Sequence, residues 1–307
     1  METRRLGSSK IEVSRLALGS WRTFERIRRE DGVAVMRAAR ESGINFLDDA
    51  RYNDETGTAP IPTGYSEVLF GELFREAGWN RDEVVVCNKL WWEFWPDESA
   101  AEEIEGSLGR MRLDYIDVIY ANPPPDGLPI PDMVAAVGDL ITSGKARAWA
   151  IVNWEAGPLL EASRAADDLG VQQPVAAQLP YSLIRRDWVE HDEMGEALAA
   201  TGAGVVASYS LLGGVLTGKY DSGGSGRAAD QLDDPDLAPA LAVGRELRAL
   251  AAEAGESPAA LAMAFALGNP AVVSVLFGAT SPAQIEENLT ALEMDPRLVE
   301  RVAAIVG

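Results

Sequence analysis

The 307-residue sequence predicts an α/β fold, a (β/α)8 barrel of the TIM type preceded by a short N-terminal β-hairpin. Three observations predict it. Eight short, near-continuously hydrophobic runs alternate with longer amphipathic stretches, as strands buried on both faces and joined by crossover helices should. Several amphipathic stretches stop at a glycine, Gly43, Gly144 and Gly170 among them, the residue favoured just past a helix end. The segment after the first run, Arg22-Thr23-Phe24-Glu25-Arg26, holds no glycine, whereas a doubly wound open sheet usually carries Gly-x-Gly-x-x-Gly there. A barrel of about 250 residues or more is one domain, so residues 1–307 are expected to form one.

The hairpin comes first, Glu2–Arg5 and Lys10–Val13 flanking Gly7-Ser8-Ser9. The strands are then expected at Leu16–Trp21, Asn45–Ala50, Val84–Leu90, Tyr115–Asn122, Ala146–Asn153, Val175–Tyr181, Gly204–Ser210 and Val272–Gly278. Helices are expected at Asp31–Ser42, Ala100–Arg112, Pro131–Ser143 and Pro158–Leu169, among others. Two segments break the rhythm. Asn53–Gly64 is a polar insertion with two prolines, and Lys219–Asp234 is a Gly-, Ser- and Asp-rich stretch that reads as a mobile loop.

Composition narrows the function. The formal net charge is −21, with no basic footprint for a nucleic acid. No run approaches the roughly 20 apolar residues of a membrane span. The N-terminus is charged and leads into no apolar segment, and the single cysteine, Cys87, allows no intrachain disulfide. These features fit a cytoplasmic protein. One histidine, His191, rules out multi-histidine metal sites and counts against triad catalysis. It lies in a polar, helix-like stretch, Asp187–Met194, and reads as a solvated surface residue.

In such a barrel the active site forms at the C-terminal strand ends. Polar residues there are Asp48, Asp49, Arg51 and Tyr52, then Asn88 and Lys89, Asn122, Asn153, Gln178, and Ser208-Tyr209-Ser210. An Asp, a Lys and a Tyr converging at one mouth would make an acid site. A Lys ammonium about 4 Å from a phenol, at an effective dielectric near 20, interacts with ~4 kcal/mol. That would lower the phenol's pKa from about 10 by at most about three units. The plainer alternative is that Asp48 and Lys89 form an ordinary barrel-end ion pair with Tyr52 stacked nearby. Trp21, Phe24, Trp91, Trp92 and Trp95 lie at or just beyond strand ends and could wall an apolar pocket, or pack into core and rim.

From about Leu6 to Leu292 the chain resembles the aldo-keto reductases. Gly43-Ile44-Asn45-Phe46-Leu47-Asp48-Asp49-Ala50 resembles the family signature Gly-Ile-Asn-Phe-Phe-Asp-Thr-Ala. Ser66-Glu67 with Leu69-Phe70-Gly71, Ser107–Asp117, Ser208-Tyr209-Ser210, Leu216–Tyr220, and Gly278-Ala279-Thr280-Ser281 with Gln284, Glu287 and Asn288 match further family segments in order. Tyr120-Ala121-Asn122-Pro123-Pro124-Pro125 and Gly218–Gly223 are similar to the β subunits of voltage-gated potassium channels and their bacterial relatives. The resemblance implies NADPH as cofactor and an aldehyde or ketone as the small-molecule substrate, reduced to an alcohol. It leaves the oligomeric state open.

The resemblance also implies roles. Asp48 and Lys89 would tune a tyrosine acting as general acid. Asn153 and Gln178 would hold the nicotinamide carboxamide, with Tyr209 stacked on the ring and Trp21 beside it. Ser210, Leu212 and Gly214 would approach the pyrophosphate, and Lys219 and Arg227 would bring positive charge to phosphates. Gly278, Ser281, Gln284, Glu287 and Asn288 would hold the adenosine end. No metal is implied.

Three departures stand out. The family tyrosine usually lies five residues after the aspartate, but position 53 is Asn, so the acid is Tyr52, or else Tyr65 beyond the insertion. Asn122 replaces the usual histidine and can donate a hydrogen bond but relay no proton. Val152 replaces the usual Ser before Asn153. Thr280 also stands where many relatives have an Arg for the 2′-phosphate. Asn122 and the subgroup likeness motivate an alternative, an NADP(H)-binding redox-sensing or regulatory subunit with little turnover. A biosynthetic reductase acting on a sugar or polyketide is a third.

Overall fold

A computed structural model describes residues 1–223, 226, 228, 229, 232 and 237–306. Two short strands, β1 (Thr3–Arg5) and β2 (Glu12–Ser14), pair antiparallel. Eight further strands follow: β3 (Leu16–Gly19), β4 (Phe46–Asp48), β5 (Val85–Leu90), β6 (Ile116–Ala121), β7 (Ala146–Val152), β8 (Ala176–Pro180), β9 (Gly204–Ser208) and β10 (Val272–Phe277). They pair in parallel in chain order, and β10 closes on β3 and β9, so the sheet is a closed barrel. Each expected strand is present, shorter by a residue or two where the chain turns out of the ladder.

Helices wrap the barrel: α1 (Arg29–Glu41), α2 (Tyr65–Glu76), α3 (Ala100–Met111), α4 (Ile130–Thr142), α5 (Ala156–Leu169), α6 (Asp187–Glu190), α7 (Asp192–Thr201), α8 (Ala238–Ala254), α9 (Pro258–Gly268), α10 (Pro282–Leu289) and α11 (Pro296–Ala303). The helix-like stretch expected through Asp187–Met194 is broken. His191 is extended (φ −67°, ψ 135°) and separates α6 from α7, exposed to solvent. The loop expected from Lys219 instead begins with a 3₁₀ turn, Lys219–Ser222. None of the described helices is long and apolar enough to cross a membrane.

Strand alternation sorts side chains into two apolar regions. Leu47, Val86, Ile119, Ile151, Leu179 and Val205 point outward under the helices. Phe46, Cys87, Val118, Tyr120, Ala148, Ala150 and Val206 fill the barrel, together with Leu6 and Val13 of the hairpin. The hairpin therefore plugs the N-terminal end. Its turn needs Gly7, which sits at φ +54°, where a Cβ would fall 2.1 Å from the Val175 carbonyl oxygen.

Candidate active site

The same alternation that buries Phe46 and Cys87 places Asp48 and Lys89 one step higher, at the C-terminal mouth. There Lys89 Nζ donates to Asp48 Oδ2 at 2.7 Å, to the Asp49 carbonyl at 3.4 Å and to the Tyr52 hydroxyl at 3.3 Å. Gln178 Nε2, from β8, donates to Asp48 Oδ1 at 3.3 Å. Asp48 and Lys89 are only 3% and 5% exposed, so neither charge can lean on water. Below them, the Tyr120 ring lies 5.8 Å from Lys89 Nζ.

Burial alone would lower the Lys89 pKa. Asp48 and Tyr52 outweigh it, and the ammonium is held above its ordinary 10.5. Tyr52 behaves against expectation. Burial and the nearby Asp48 and Asp49 outweigh the pull of Lys89, so the phenol lies above its ordinary 10.0. The expected lowering of up to about three units counted Coulomb attraction and left out desolvation.

Of the two candidate tyrosines, Tyr52 meets the lysine. Tyr65 opens α2, and among the described residues no hydrogen bond or ring contact joins it to Lys89. Tyr52 reaches the site early in sequence because Asn53 pairs with Thr63 in an isolated bridge, which closes the insertion into a loop beyond it. Asn122, at the end of β6, is half-buried, and its Nδ2 donates to the Leu90 carbonyl at 3.0 Å. That leaves one amide hydrogen for another acceptor.

Around the rim, Trp21 and Tyr209 lie with ring centroids 5.3 Å apart. Tyr209 is 41% exposed, and Asn153 is exposed too; both sit at positive φ where their strands end. Ser210 is buried and its hydroxyl donates to the Tyr181 carbonyl at 3.0 Å. Leu212, Gly213 and Gly214 follow at φ +48°, +64° and +93°. Successive left-handed residues turn backbone N–H groups toward one side, an anion-binding shape. A Cβ on Gly214 would fall 2.8 Å from Lys219 Cε and 2.9 Å from its Nζ, so glycine lets the lysine cross this turn.

At the end of β10, Gly278 leads to Thr280, whose N–H and hydroxyl both donate to Gln284 Oε1, at 2.7 and 3.2 Å. Ser281 precedes α10 with no side-chain cap bond. Glu287 is exposed, whereas Asn288 is buried and takes part in no side-chain hydrogen bond among the described residues. A buried amide without a partner is uncommon, and one facing a ligand's polar edge accounts for it. Together these features fit a dinucleotide laid from Tyr209 to Asn288. Arg227 lies outside the described residues.

The expected aromatic wall is thinner than the sequence implied. Phe24 and Trp92 are both 5% exposed and belong to the outer core, because Thr23 and Trp92 turn their segments back under α1 and α3. Trp95 is partly buried against that core, while Trp91 remains 36% exposed, edge-on to Tyr52 at 6.0 Å.

Residues 15–306 match the model of the Aldo/keto reductase family. The chain belongs to this family. Two relatives show the same extent. A protein of Oryza sativa subsp. japonica named as a probable voltage-gated potassium channel subunit beta is 33% identical over 330 aligned residues, covering all of this chain and 97% of the relative. An Arabidopsis thaliana protein of the same name is 32% identical, covering 97% and 93%. This aldo/keto reductase thus follows the potassium-channel-subunit-like branch along its whole length.

Sequence reasoning missed two buried groups beside the site. One is the Arg51–Glu103 pair described below. The other is Asp49, where the family signature has Thr. It is fully buried, accepts a hydrogen bond from Ser20 Oγ, and leaves Oδ2 without a partner. Burial, reinforced by Glu67, raises its pKa well above 3.8. The folded state then holds a proton that the unfolded state releases. Stability is fully present below the unfolded pKa and falls as pH rises toward the folded value. Asp49→Asn removes that proton linkage. Urea titrations should find the variant more stable by about 1–3 kcal/mol near pH 8, with little difference at pH 4. Equal slopes of stability against pH in the two proteins would show that Asp49 is ionised when folded.

Proposed function

We propose that this aldo/keto reductase uses NADPH to reduce an aldehyde or ketone to an alcohol, with Tyr52 as the proton donor. The observation that carries the reading is the Lys89 ammonium, bound to Asp48 at 2.7 Å and to the Tyr52 hydroxyl at 3.3 Å. When bound, the reduced nicotinamide supplies a hydride to the carbonyl carbon. Tyr52 places its O–H against the carbonyl oxygen and gives up its proton as negative charge develops there. Lys89 donates to the phenol oxygen, so it stabilises the phenolate left behind. Asp48 keeps the ammonium charged and aimed, and Gln178 fixes the carboxylate from its other side. The free amide hydrogen of Asn122 is a second donor to the substrate oxygen.

For the cofactor, Tyr209 and Trp21 would flank the nicotinamide, and Asn153 and Gln178 its carboxamide. Ser210, Leu212, Gly214 and Lys219 would take the pyrophosphate. Gly278, Ser281, Gln284, Glu287 and Asn288 would take the adenosine end. The Thr280 hydroxyl and Lys219 supply the 2′-phosphate preference. Titration of intrinsic fluorescence with NADPH and NADH should give about tenfold tighter binding of NADPH, a ~1.4 kcal/mol difference. Equal affinities would remove the preference. NADPH consumption is then followed across a panel of aldehydes and ketones, and multiple turnovers with at least one are expected.

A second reading has its own support. Asn122 spends one amide hydrogen on Leu90 and can relay no proton, and two relatives are named as channel subunits. The chain would then be an NADP(H)-binding regulatory subunit with little turnover. Tightly held NADPH that no carbonyl oxidises would favour it.

A further inference from the structure

We infer that Glu103 and Arg51 form a positioning unit that sets Trp91 against Tyr52 as the substrate-facing wall. The inference rests on the reductase reading, but the placement of Trp91 can be tested without it. The start of α3 is fixed by a capping box: Ser99 Oγ accepts from the Glu102 N–H, and the Glu102 carboxylate accepts from the Ser99 N–H. The next residue, Glu103, is 2% exposed and turns back toward the barrel. Its Oε1 accepts from the Trp91 N–H at 2.7 Å, and its Oε2 from the Trp92 N–H at 3.2 Å. Arg51 Nη2 stands 3.3 Å from Oε1.

Both sides of the Tyr52–Trp91 contact are thereby held by one ion pair. Arg51 is the residue before Tyr52 in the chain. It is 4% exposed, donates from Nη1 to Glu98 at 2.9 Å, and lies over the Phe94 ring. Glu103 holds the backbone of Trp91 and Trp92 through two charge-assisted hydrogen bonds. Trp92 sits at φ +60°, a conformation a bulky residue keeps only when its surroundings impose it. That bend sends Trp92 inward, where its Nε1 donates to the Asn122 carbonyl at 3.1 Å, and leaves Trp91 at the mouth. An acid serving only helix packing would not need to grip two consecutive loop amides.

The test uses full-length Glu103→Gln, Trp91→Ala and the double variant, with an aromatic aldehyde and NADPH. Gln can accept from one amide but sets an NH2 group against the other. Glu103→Gln is expected to raise KM about tenfold, to change kcat less than about threefold, and to leave the Kd for NADPH within about twofold. Trp91→Ala should do the same. The double variant should be no worse than the worse single, because both act on one wall. An unchanged KM in Glu103→Gln, or additive losses in the double variant, overturns the proposal. The indole N–H resonance of Trp91, assigned with Trp91→Ala, gives a readout independent of turnover. It should shift in Glu103→Gln while those of Trp149 and Trp154 stay in place, and a stationary Trp91 signal also overturns the proposal. If Glu103→Gln does not fold, Arg51→Lys is read by the same resonance and the same criteria. If wild type turns over no carbonyl, the reductase reading fails, and the resonance alone decides the positioning.

Discussion

Tyr52→Phe is expected to lower kcat for carbonyl reduction by about 10²–10⁴-fold, the usual worth of a positioned general acid, with NADPH affinity within about twofold of wild type. The substitution removes one oxygen and keeps the ring that meets Trp91. Tyr65→Phe should leave kcat within about threefold, since its side chain stands apart from Lys89. The pH dependence follows from the raised phenol. Tyr52 keeps its proton as pH climbs through neutrality, because burial lifts its pKa above 10.0 despite Lys89. The kcat/KM for reduction should therefore stay flat between about pH 6 and 9, and fall only above that range. A phenol lowered by its lysine would instead lose activity steadily through neutral pH. Steady-state rates of the three proteins across that range separate the cases.

The second large effect concerns the ion pair. Lys89→Met leaves the Asp48 carboxylate buried at 3% exposure with only the Gln178 amide to satisfy it. Breaking a buried pair on one side costs about 3–5 kcal/mol, so the variant should unfold at markedly lower urea. Adding Asp48→Asn removes the stranded charge. The double variant should regain most of that stability, yet remain without measurable turnover, because nothing then stabilises the Tyr52 phenolate. Urea midpoints checked beside kcat make the two losses separable. A double variant as unstable as Lys89→Met would mean that packing, not the uncompensated charge, dominates the site.

The barrel was legible because its strands are buried on both faces, so hydrophobic runs and their spacing mark them directly. The Asp48–Lys89 pairing was legible from strand-end position, since the period-two alternation that buries Phe46 and Cys87 carries both residues to the mouth. The direction of the Tyr52 shift was not legible. It depends on how much water the folded mouth excludes, which no residue spacing records. Glu103 hid inside an ordinary acidic helix start, Ala100-Ala101-Glu102-Glu103, where Glu102 caps the helix and Glu103 reaches the loop. Phe24 and Trp92 misled for a related reason: nearness to a strand end does not say which way a turn sends a ring. Asp49 carried one signal, standing where the family signature has Thr.

The central claim is that Tyr52, Lys89 and Asp48 together deliver a proton to a carbonyl reduced beside them. Its most direct test is a single turnover, in which protein loaded with one equivalent of NADPH is mixed with an excess of aldehyde while absorbance of the reduced nicotinamide is followed. The account predicts full oxidation with one equivalent of alcohol formed in wild type, slowed by about 10²-fold or more in Tyr52→Phe. Equal rates in the two proteins, or NADPH that stays reduced in wild type with every carbonyl offered, would contradict it.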